Sequence, residues 1–415
     1  MPIVLRSEEL HKGMRLAEAL VVRGQVMFAA GRELVAEDID ILKRRFPKAV
    51  MRIGDPVLDD VVDFEDDSHE REVANTVQSQ IAGAMSEVRQ RFAMRASFAD
   101  LNFHVVHETV AQVIEYLRAN PVTAVLLGKN LQSESYLADH AGNVFYLSMI
   151  LGTVVREYVA AERNRQSMAR ELQSDHAMDL TPLALGSMLL DVGMLPLEEL
   201  YKLERPLTEE EQKAVRQHPI VGATRLPENM SPLAKMVVRT HHENYDGSGY
   251  PGGLAKEKLH IFTRIVRIVD AYDAATASHV YQEAKTPARA LWEMSAGPYR
   301  RCFDPMLMKV FARLIQPFPI GTKLRLADGR YAVVVRYNRK NSFMPHVIIA
   351  FDQNDNRLPN EQLIGPLNLE DHRGLRLDAC GEEDLSYLHE ANAALNDKEP
   401  PKERLLTSLF EAAFP

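Results

Sequence analysis

Residues 241–254 read HHENYDGSGYPGGL, two adjacent histidines running into a loop with four glycines, an aspartate and a proline. Neighbouring side chains on a helix point about 100° apart, so His241 and His242 converge on one site only where the helix ends or the backbone turns. The same stretch supplies that turn. Asp246-Gly247, Gly249 and Pro251 end a helix and build a tight loop. Working outward, further imidazoles and carboxylates stand at His140, Asp191, His218 and Asp270. Any one of these histidines alone is more often a side chain satisfied by a local hydrogen bond than a ligand, but the cluster reverses that balance. Imidazole and carboxylate together suit Fe, Mn, Zn, Ni or Co rather than calcium or magnesium alone.

The cluster sits in a region patterned for helices. From about Ala93 to Leu314 apolar residues recur every three or four positions, and Pro121, Pro182, Pro219, Pro251 and Pro287 mark helix starts and loops. On the N-terminal side, Ala19–Val22 and Val26–Ala29 flank Arg23-Gly24-Gln25 as a hairpin, Glu37–Phe46 reads as a short helix and Val50–Ile53 as a strand. That makes residues 1–58 a small α+β module. Residues 59–67 hold five aspartates and one glutamate, a solvated connector. The helix after it carries Val73, Val77, Ile81, Met85, Val88 and Phe92 on one stripe, which packs on the central domain or, alternatively, forms a homodimer seam. After Gln316-Pro317, the runs Thr322–Leu326, Tyr331–Tyr337 and Val347–Phe351 read as strands of a small β module, residues 316–380. Residues 381–415 return to a polar helical tail broken by Pro400-Pro401. The expected architecture is multidomain: a mainly α-helical central domain over residues 93–315, reached through a linker and long helix over 59–92, with small modules on either side.

Whole-chain properties agree with this division. At 415 residues the chain exceeds what one hydrophobic core supports. A hydrophobic share of 46% with 26% charged residues is that of a soluble globular protein. A net charge of −9 argues against a nucleic-acid backbone as partner. Cys302 and Cys380 stand far apart with no metal-ligand spacing, which fits a reduced compartment. The N-terminus MPIVLRSEEL lacks the apolar core of a secretory signal. The longest apolar run, Val144–Val155, is broken by Ser148, Gly152 and Thr153 and is too short to span a bilayer. A cytoplasmic protein without membrane insertion is expected.

The run HHENYDGSGYPGGL resembles the signature of the HD-GYP family, a branch of the HD phosphohydrolase superfamily. The resemblance extends over residues 135–315. It takes in His140 in an early helix, LLDVG at Leu189–Gly193, His218-Pro219, the HHE…DGSGYP run and IVDAYDA at Ile268–Ala274. Gly13-Met14 near the N-terminus and Pro319-Ile320-Gly321 after the helical region also resemble flanking modules of multidomain members. The resemblance implies an HD-type helical domain around a two- or three-metal centre. It also implies hydrolysis of cyclic di-GMP to the linear dinucleotide pGpG and on to GMP. In the family the Asp of the HD pair bridges two metals, which activate water and stabilise charge at phosphorus. Carried over residue by residue, Asp191 is the bridging ligand, His218, His241 and His242 complete one metal's shell, and His140 and Asp270 serve the other. Tyr250 would touch the nucleotide or order the pocket wall.

Several positions depart from the family pattern. Where the family reads Leu-Leu-His-Asp-Ile-Gly-Lys, this chain reads Leu189-Leu190-Asp191-Val192-Gly193-Met194 after Met188. The ligand histidine is Leu190 and the phosphate-contacting lysine is Met194. A leucine offers no lone pair to a cation. Trinuclear members carry a Glu four residues before the first histidine, where this chain has Tyr136; Glu134 would lie on another helical face. After Asp270 the family commonly shows Arg-Pro-Tyr-Arg or Arg-Pro-Tyr-Lys, and here the run is His279-Val280-Tyr281-Gln282, placing His279 and Gln282 at ligand-binding positions without the forked cation that phosphate favours.

Together these losses remove a ligand and the basic groups from one pocket. The expectation is a signalling protein holding one divalent transition metal tightly at Asp191, His218, His241 and His242. A second ion is weak or absent, and hydrolysis is weak or lost. Its ligand would be a cyclic dinucleotide, bound weakly, and its partners proteins of cyclic di-GMP signalling. The alternative is a working phosphodiesterase that tolerates the missing histidine.

Overall fold

The computed structural model describes residues 3–22, 25–47, 49–54, 72–73, 76–77, 79–80, 103–120, 136–167, 179–203, 205–277, 284–338, 340–372 and 374–389. These form two compact units, one within residues 1–66 and 316–396, the other within 67–315.

The first unit is β-rich. Its N-terminal part holds strands β1 (Ile3–Arg6), β2 (Arg15–Leu16), β3 (Leu20–Val22) and β4 (Gln25–Phe28), helix α1 (Ala36–Arg45) and strand β5 (Val50–Gly54). Strands β3 and β4 pair antiparallel as the expected hairpin, and β5 lies between β1 and β2. The C-terminal part is a six-stranded antiparallel sheet of β6 (Lys323–Leu326), β7 (Tyr331–Arg336), β8 (His346–Phe351), β9 (Ile364–Asn368), β10 (Leu377–Cys380) and β11 (Glu383–Asp384), in the order β11-β10-β6-β7-β8-β9. The two stretches read from sequence as separate modules share one core. Leu5, Leu34, Leu42 and Ile53 pack in the same cluster as Val333, Val335, Ile348 and Ala350. The Val4 amide donates to the Gly321 carbonyl at 2.8 Å, tying the first strand to the C-terminal sheet. Strand β7 is buried on both faces, as a central strand covered from both sides must be. Glu383–Asp384, expected to open a helical tail, is instead a short strand, because its backbone groups pair with Ala379 and Cys380 across the turn at Gly381.

The second unit is helical. It contains α2 (Phe103–Ala119), α3 (Tyr136–Val154), α4 (Arg156–Ser167), α5 (Thr181–Met188), a 3-10 stretch (Val192–Lys202), α6 (Glu209–Arg216), α7 (His218–Arg225), α8 (Pro232–Thr240), α9 (Ile261–Thr276), α10 (Pro287–Ser295) and α11 (Pro305–Leu314). Prolines stand in the first turn of α5, α7, α8, α10 and α11, where a missing amide hydrogen costs nothing. Thr208, Thr286 and Asp304 cap α6, α10 and α11 through side-chain oxygens. Three helices form the centre. In α5 every residue from Pro182 to Met188 is buried, and α3 and α9 are buried nearly all round. A helix apolar on every side belongs inside a unit of this size. Helix α3 packs against both α5 and α9, and α8 packs against α5 and α7. The ligand candidates lie on or beside these elements.

Of the apolar stripe on the early helix, Val73 and Val77 are buried; Ile81, Met85, Val88 and Phe92 lie outside the described residues. So do the acidic connector at 59–67, Glu134, and the tail beyond His389. Among the described residues no single helix is long and apolar enough to cross a membrane.

Candidate metal centre

Asp191 stands three residues past the end of α5, immediately before the 3-10 stretch, where the α-helical ladder has ended. His218 opens α7. Gly193 makes that neighbourhood possible: a Cβ there would lie 2.1 Å from the His218 carbonyl oxygen and 2.8 Å from the Gly222 nitrogen. The backbone of α7 rests on the glycine, so any larger residue would push His218 away from Asp191. His241 and His242 follow the last residue of α8, so the helix ends where two adjacent histidines need it to. The loop then folds back on them. A Cβ at Gly249 would lie 2.4 Å from the His242 carbonyl oxygen, and the Tyr250 amide donates to that same oxygen at 3.2 Å. The buried Glu243 carboxylate closes the loop by accepting from the amides of Gly252 and Leu254.

Asp191, His218, His241 and His242 offer ligand atoms that all lie within 4.8 Å of one another. Asp191 Oδ1 is 3.1 Å from His218 Nε2 and 3.7 Å from His241 Nε2, and the two Nε2 atoms are 3.1 Å apart. The other nitrogen of each ring is committed. His218 Nδ1 donates to the Val215 carbonyl at 2.6 Å, and His241 Nδ1 donates to the Val238 carbonyl at 2.7 Å. With each Nδ1 on a backbone carbonyl, both Nε2 atoms and a carboxylate oxygen are left facing one another. Outward Nδ1–H bonds to carbonyls are how proteins fix the tautomer of metal-ligating imidazoles. Two nitrogens and a carboxylate oxygen, with a third imidazole beside them, suit a divalent transition ion. The residues fit the group.

The electrostatics follow from burial and proximity. Burial raises the Asp191 carboxyl, but His218 and His241 outweigh it and hold it well below the ordinary carboxylate value. Burial would lower His218, yet Asp191 raises it above its usual range. Burial, with His241 beside it, keeps His242 well below the usual imidazole value. A neutral ring is the form that ligates. His260 is the opposite kind of histidine. Its Nδ1 accepts from the Phe262 amide at 3.2 Å to cap α9, and burial lowers it to about 4.

The other half of the centre is built differently. His140 Nε2 lies 3.2 Å from Asp270 Oδ1 and 3.6 Å from Asp191 Oδ2, while its Nδ1 pairs with Asp273 Oδ2 at 2.7 Å. Asn143 donates to the second Asp273 oxygen at 2.9 Å. Burial would lower His140, but Asp270, Asp273 and Asp191 raise it well above its ordinary value. Burial raises Asp270, and His140, His242 and Arg267 together hold it far below its ordinary value. Leu190 and Met194 are fully buried and bring neither an imidazole nor a cation. The Tyr136 ring stacks on His140, centroids 5.6 Å apart. Tyr250 sits with its ring 4.8 Å from that of His242, and the exposed Arg216 guanidinium lies 5.3 Å over it.

The structure thus brings His140, Asp191, His218, His241, His242 and Asp270 together, with Tyr250 against them. His279 and Gln282 lie outside the described residues. Reading the sequence missed Asp273, Asn143, Arg267 and Asn244. Asp273 had a signal: it follows Asp270 by three residues in IVDAYDA and so shares its helical face.

Residues 149–307 match the HD domain family. A cyclic di-GMP phosphodiesterase of Pseudomonas aeruginosa is 31% identical over 189 residues, covering 45% of this chain and 45% of its own length. A cyclic di-GMP phosphodiesterase response regulator of Xanthomonas campestris pv. campestris is 32% identical over 135 residues, covering 32% of this chain and 35% of its own. The chain therefore spans about half or less of the length of these curated relatives. A solved HDG"Y"P protein from Bdellovibrio bacteriovorus overlaps 74% of this chain and 96% of that one at 15% identity, with a TM-score of 0.39, too loose a likeness to inform the fold.

Proposed function

We propose, for a chain that carries an HD domain, is related to cyclic di-GMP phosphodiesterases and so agrees with the HD-GYP family, that it is a metal-binding signalling protein with weak or absent hydrolysis. One observation carries the reading. Ligand atoms of Asp191, His218, His241 and His242 converge within 4.8 Å of one another, whereas on the other side both ring nitrogens of His140 and both oxygens of Asp270 face further groups of the chain. One divalent ion would be held by the first set. When bound, such an ion supplies Lewis-acid activation of water and of a phosphoryl oxygen.

The chain's own residues supply the rest. Val215 and Val238 hold the imidazole tautomers through their carbonyls, Asp273 orients His140, and the Glu243-closed loop sets Tyr250 beside His242 as a wall. A cyclic dinucleotide is the ligand class, with low affinity expected because Met194 replaces a phosphate-binding lysine. Partner proteins of cyclic di-GMP signalling would read the ligand or the metal state.

A second reading, an active phosphodiesterase acting on cyclic di-GMP, is favoured by one observation: Arg216 over Tyr250 places a guanidinium near the loop. Metal analysis after exhaustive dialysis, run with a cyclic di-GMP hydrolysis assay under manganese or iron, separates the two. One equivalent of metal with little product supports the regulatory reading. Rapid conversion to pGpG supports the enzyme.

A further inference from the structure

Arg267 lies inside the centre, and no motif explains it. It stands on α9, three residues before Asp270, with its side chain mostly buried. Its Nη1 is 3.2 Å from Asp270 Oδ2, the oxygen that also lies 3.5 Å from His242 Nδ1. Its Nε donates to Asn244 Oδ1 at 2.8 Å, and the guanidinium sits 5.6 Å over the Phe303 ring. Asn244 belongs to the loop that follows the histidine pair and also donates to Ser248 at 2.9 Å. The guanidinium is therefore fixed by the loop on one side and by Asp270 on the other. With His140 on Oδ1, both Asp270 oxygens face nitrogen donors of the chain itself.

Resting on the reading of a one-ion centre, we propose that Arg267 is the resident cation of the Asp270 half, occupying with a guanidinium the electrostatic place a second metal ion would take. A divalent ion drawn to Asp270 would meet a fixed positive charge on the same carboxylate. Either the ion or the Arg267 contact can use Oδ2 fully, not both. Leu190 then costs the chain little, because the cation on that side is carried by the chain and needs no histidine. The guanidinium also keeps positive charge beside the tight-ion site. Asn244 gives the arrangement a further property: Arg267 couples Asp270 to the loop bearing Tyr250, so the loop is ordered without a second ion.

The test uses the full-length protein stripped of metal and titrated with manganese, reading the number and tightness of bound ions by calorimetry. Wild type, Arg267→Gln, Arg267→Lys, and the pair Leu190→His and Leu190→His with Arg267→Gln are compared. Glutamine keeps a hydrogen-bonding group for Asn244 and removes the charge, and lysine keeps the charge. The expected result is a second manganese bound at least about tenfold more tightly in Arg267→Gln than in wild type, the scale on which a charge within about 4–6 Å moves an ionisation equilibrium. The same gain should appear in the Leu190→His background, and Arg267→Lys should behave like wild type. Equal second-ion affinity with and without Arg267 in both backgrounds overturns the proposal, as does weaker binding in the glutamine variant. Lysine behaving like glutamine also overturns it, since the effect would then come from shape and not charge. A wild type that binds no ion at all refutes the one-ion reading by itself; Arg267 is still judged by whether the glutamine variant binds manganese more tightly than wild type.

Discussion

Among the described residues of the helical unit, two buried clusters of charge are satisfied in different ways. In one, Arg264 on α9 sits between acids, its Nη1 3.0 Å from Glu162 and 3.2 Å from Asp304, while its Nε donates to the Leu259 carbonyl at 2.9 Å. In the other, Asp191, His218, His241 and His242 converge, and the Nδ1 atoms of His218 and His241 are turned away onto backbone carbonyls. The first cluster carries its cation in the chain. The second gathers a carboxylate and three imidazoles whose ligand atoms all lie within 4.8 Å of one another. Burying charge is costly in both, so each demands a counter-charge: an arginine in the first, and in the second the histidines that face Asp191. Arg267 makes the contrast sharper, because it brings the first solution to the edge of the second.

The largest effect that could break this comparison is expected at Arg264. Arg264→Met leaves Glu162 and Asp304 without their shared cation and should cost about 3–5 kcal/mol of stability by denaturant unfolding. That cost should be the same with manganese or chelator present. A metal-dependent cost would join the two clusters into one and remove the contrast. Next is His241→Ala, which removes one of the facing lone pairs. Since even outer partners of metal ligands cost about 10–100-fold in affinity, loss of a ligand should weaken the tight ion by at least about a hundredfold, read by calorimetry, with the helical circular dichroism retained.

Chelation of the wild-type protein comes third. Saturating metal at about a hundred times Kd stabilises the binding state by about 2.7 kcal/mol, so adding metal to the stripped protein should raise its melting temperature and His241→Ala should remove most of that rise. An unchanged melting temperature in wild type would mean that the histidines are satisfied without an ion. The smallest effect is expected from repair: Leu190→His with Met194→Lys should increase product from cyclic di-GMP over either single change, because substrate positioning adds to metal activation. If wild type already hydrolyses the substrate faster than the repaired protein, the reading of a weakened site fails and the active-enzyme reading replaces it.

Much of the site was legible from residue types and their order. The pair His241-His242 followed by Asp246-Gly247 required a helix end, and α8 ends there. Leu190 was readable as standing where the family it resembles has a histidine, because its neighbour Asp191 keeps the resemblance in register. The counter-charges were not legible. Arg264 and Arg267 lie on one helix three residues apart, with no local feature to say that one meets Glu162 and Asp304 while the other meets Asp270 and Asn244. The strands beyond Phe351 were missed for a related reason. Ile364–Asn368 includes glycine and proline and shows little alternation, and it becomes a strand by pairing with β8.

The sequence by itself therefore determined what is encoded locally: helices, from apolar residues returning every turn; their ends, from glycine and proline; and which imidazoles and carboxylates stand near those ends. Tertiary structure alone decided what depends on partners far apart in the chain. It put Ile3–Arg6 and Lys323–Leu326 in one β-rich unit, set Asp273 against His140 across 133 residues, and chose which carboxylates receive an arginine. The physical reason is that a helix repeat is a property of neighbours a few residues apart. A buried charge is settled only by whatever group the completed packing brings within hydrogen-bond distance.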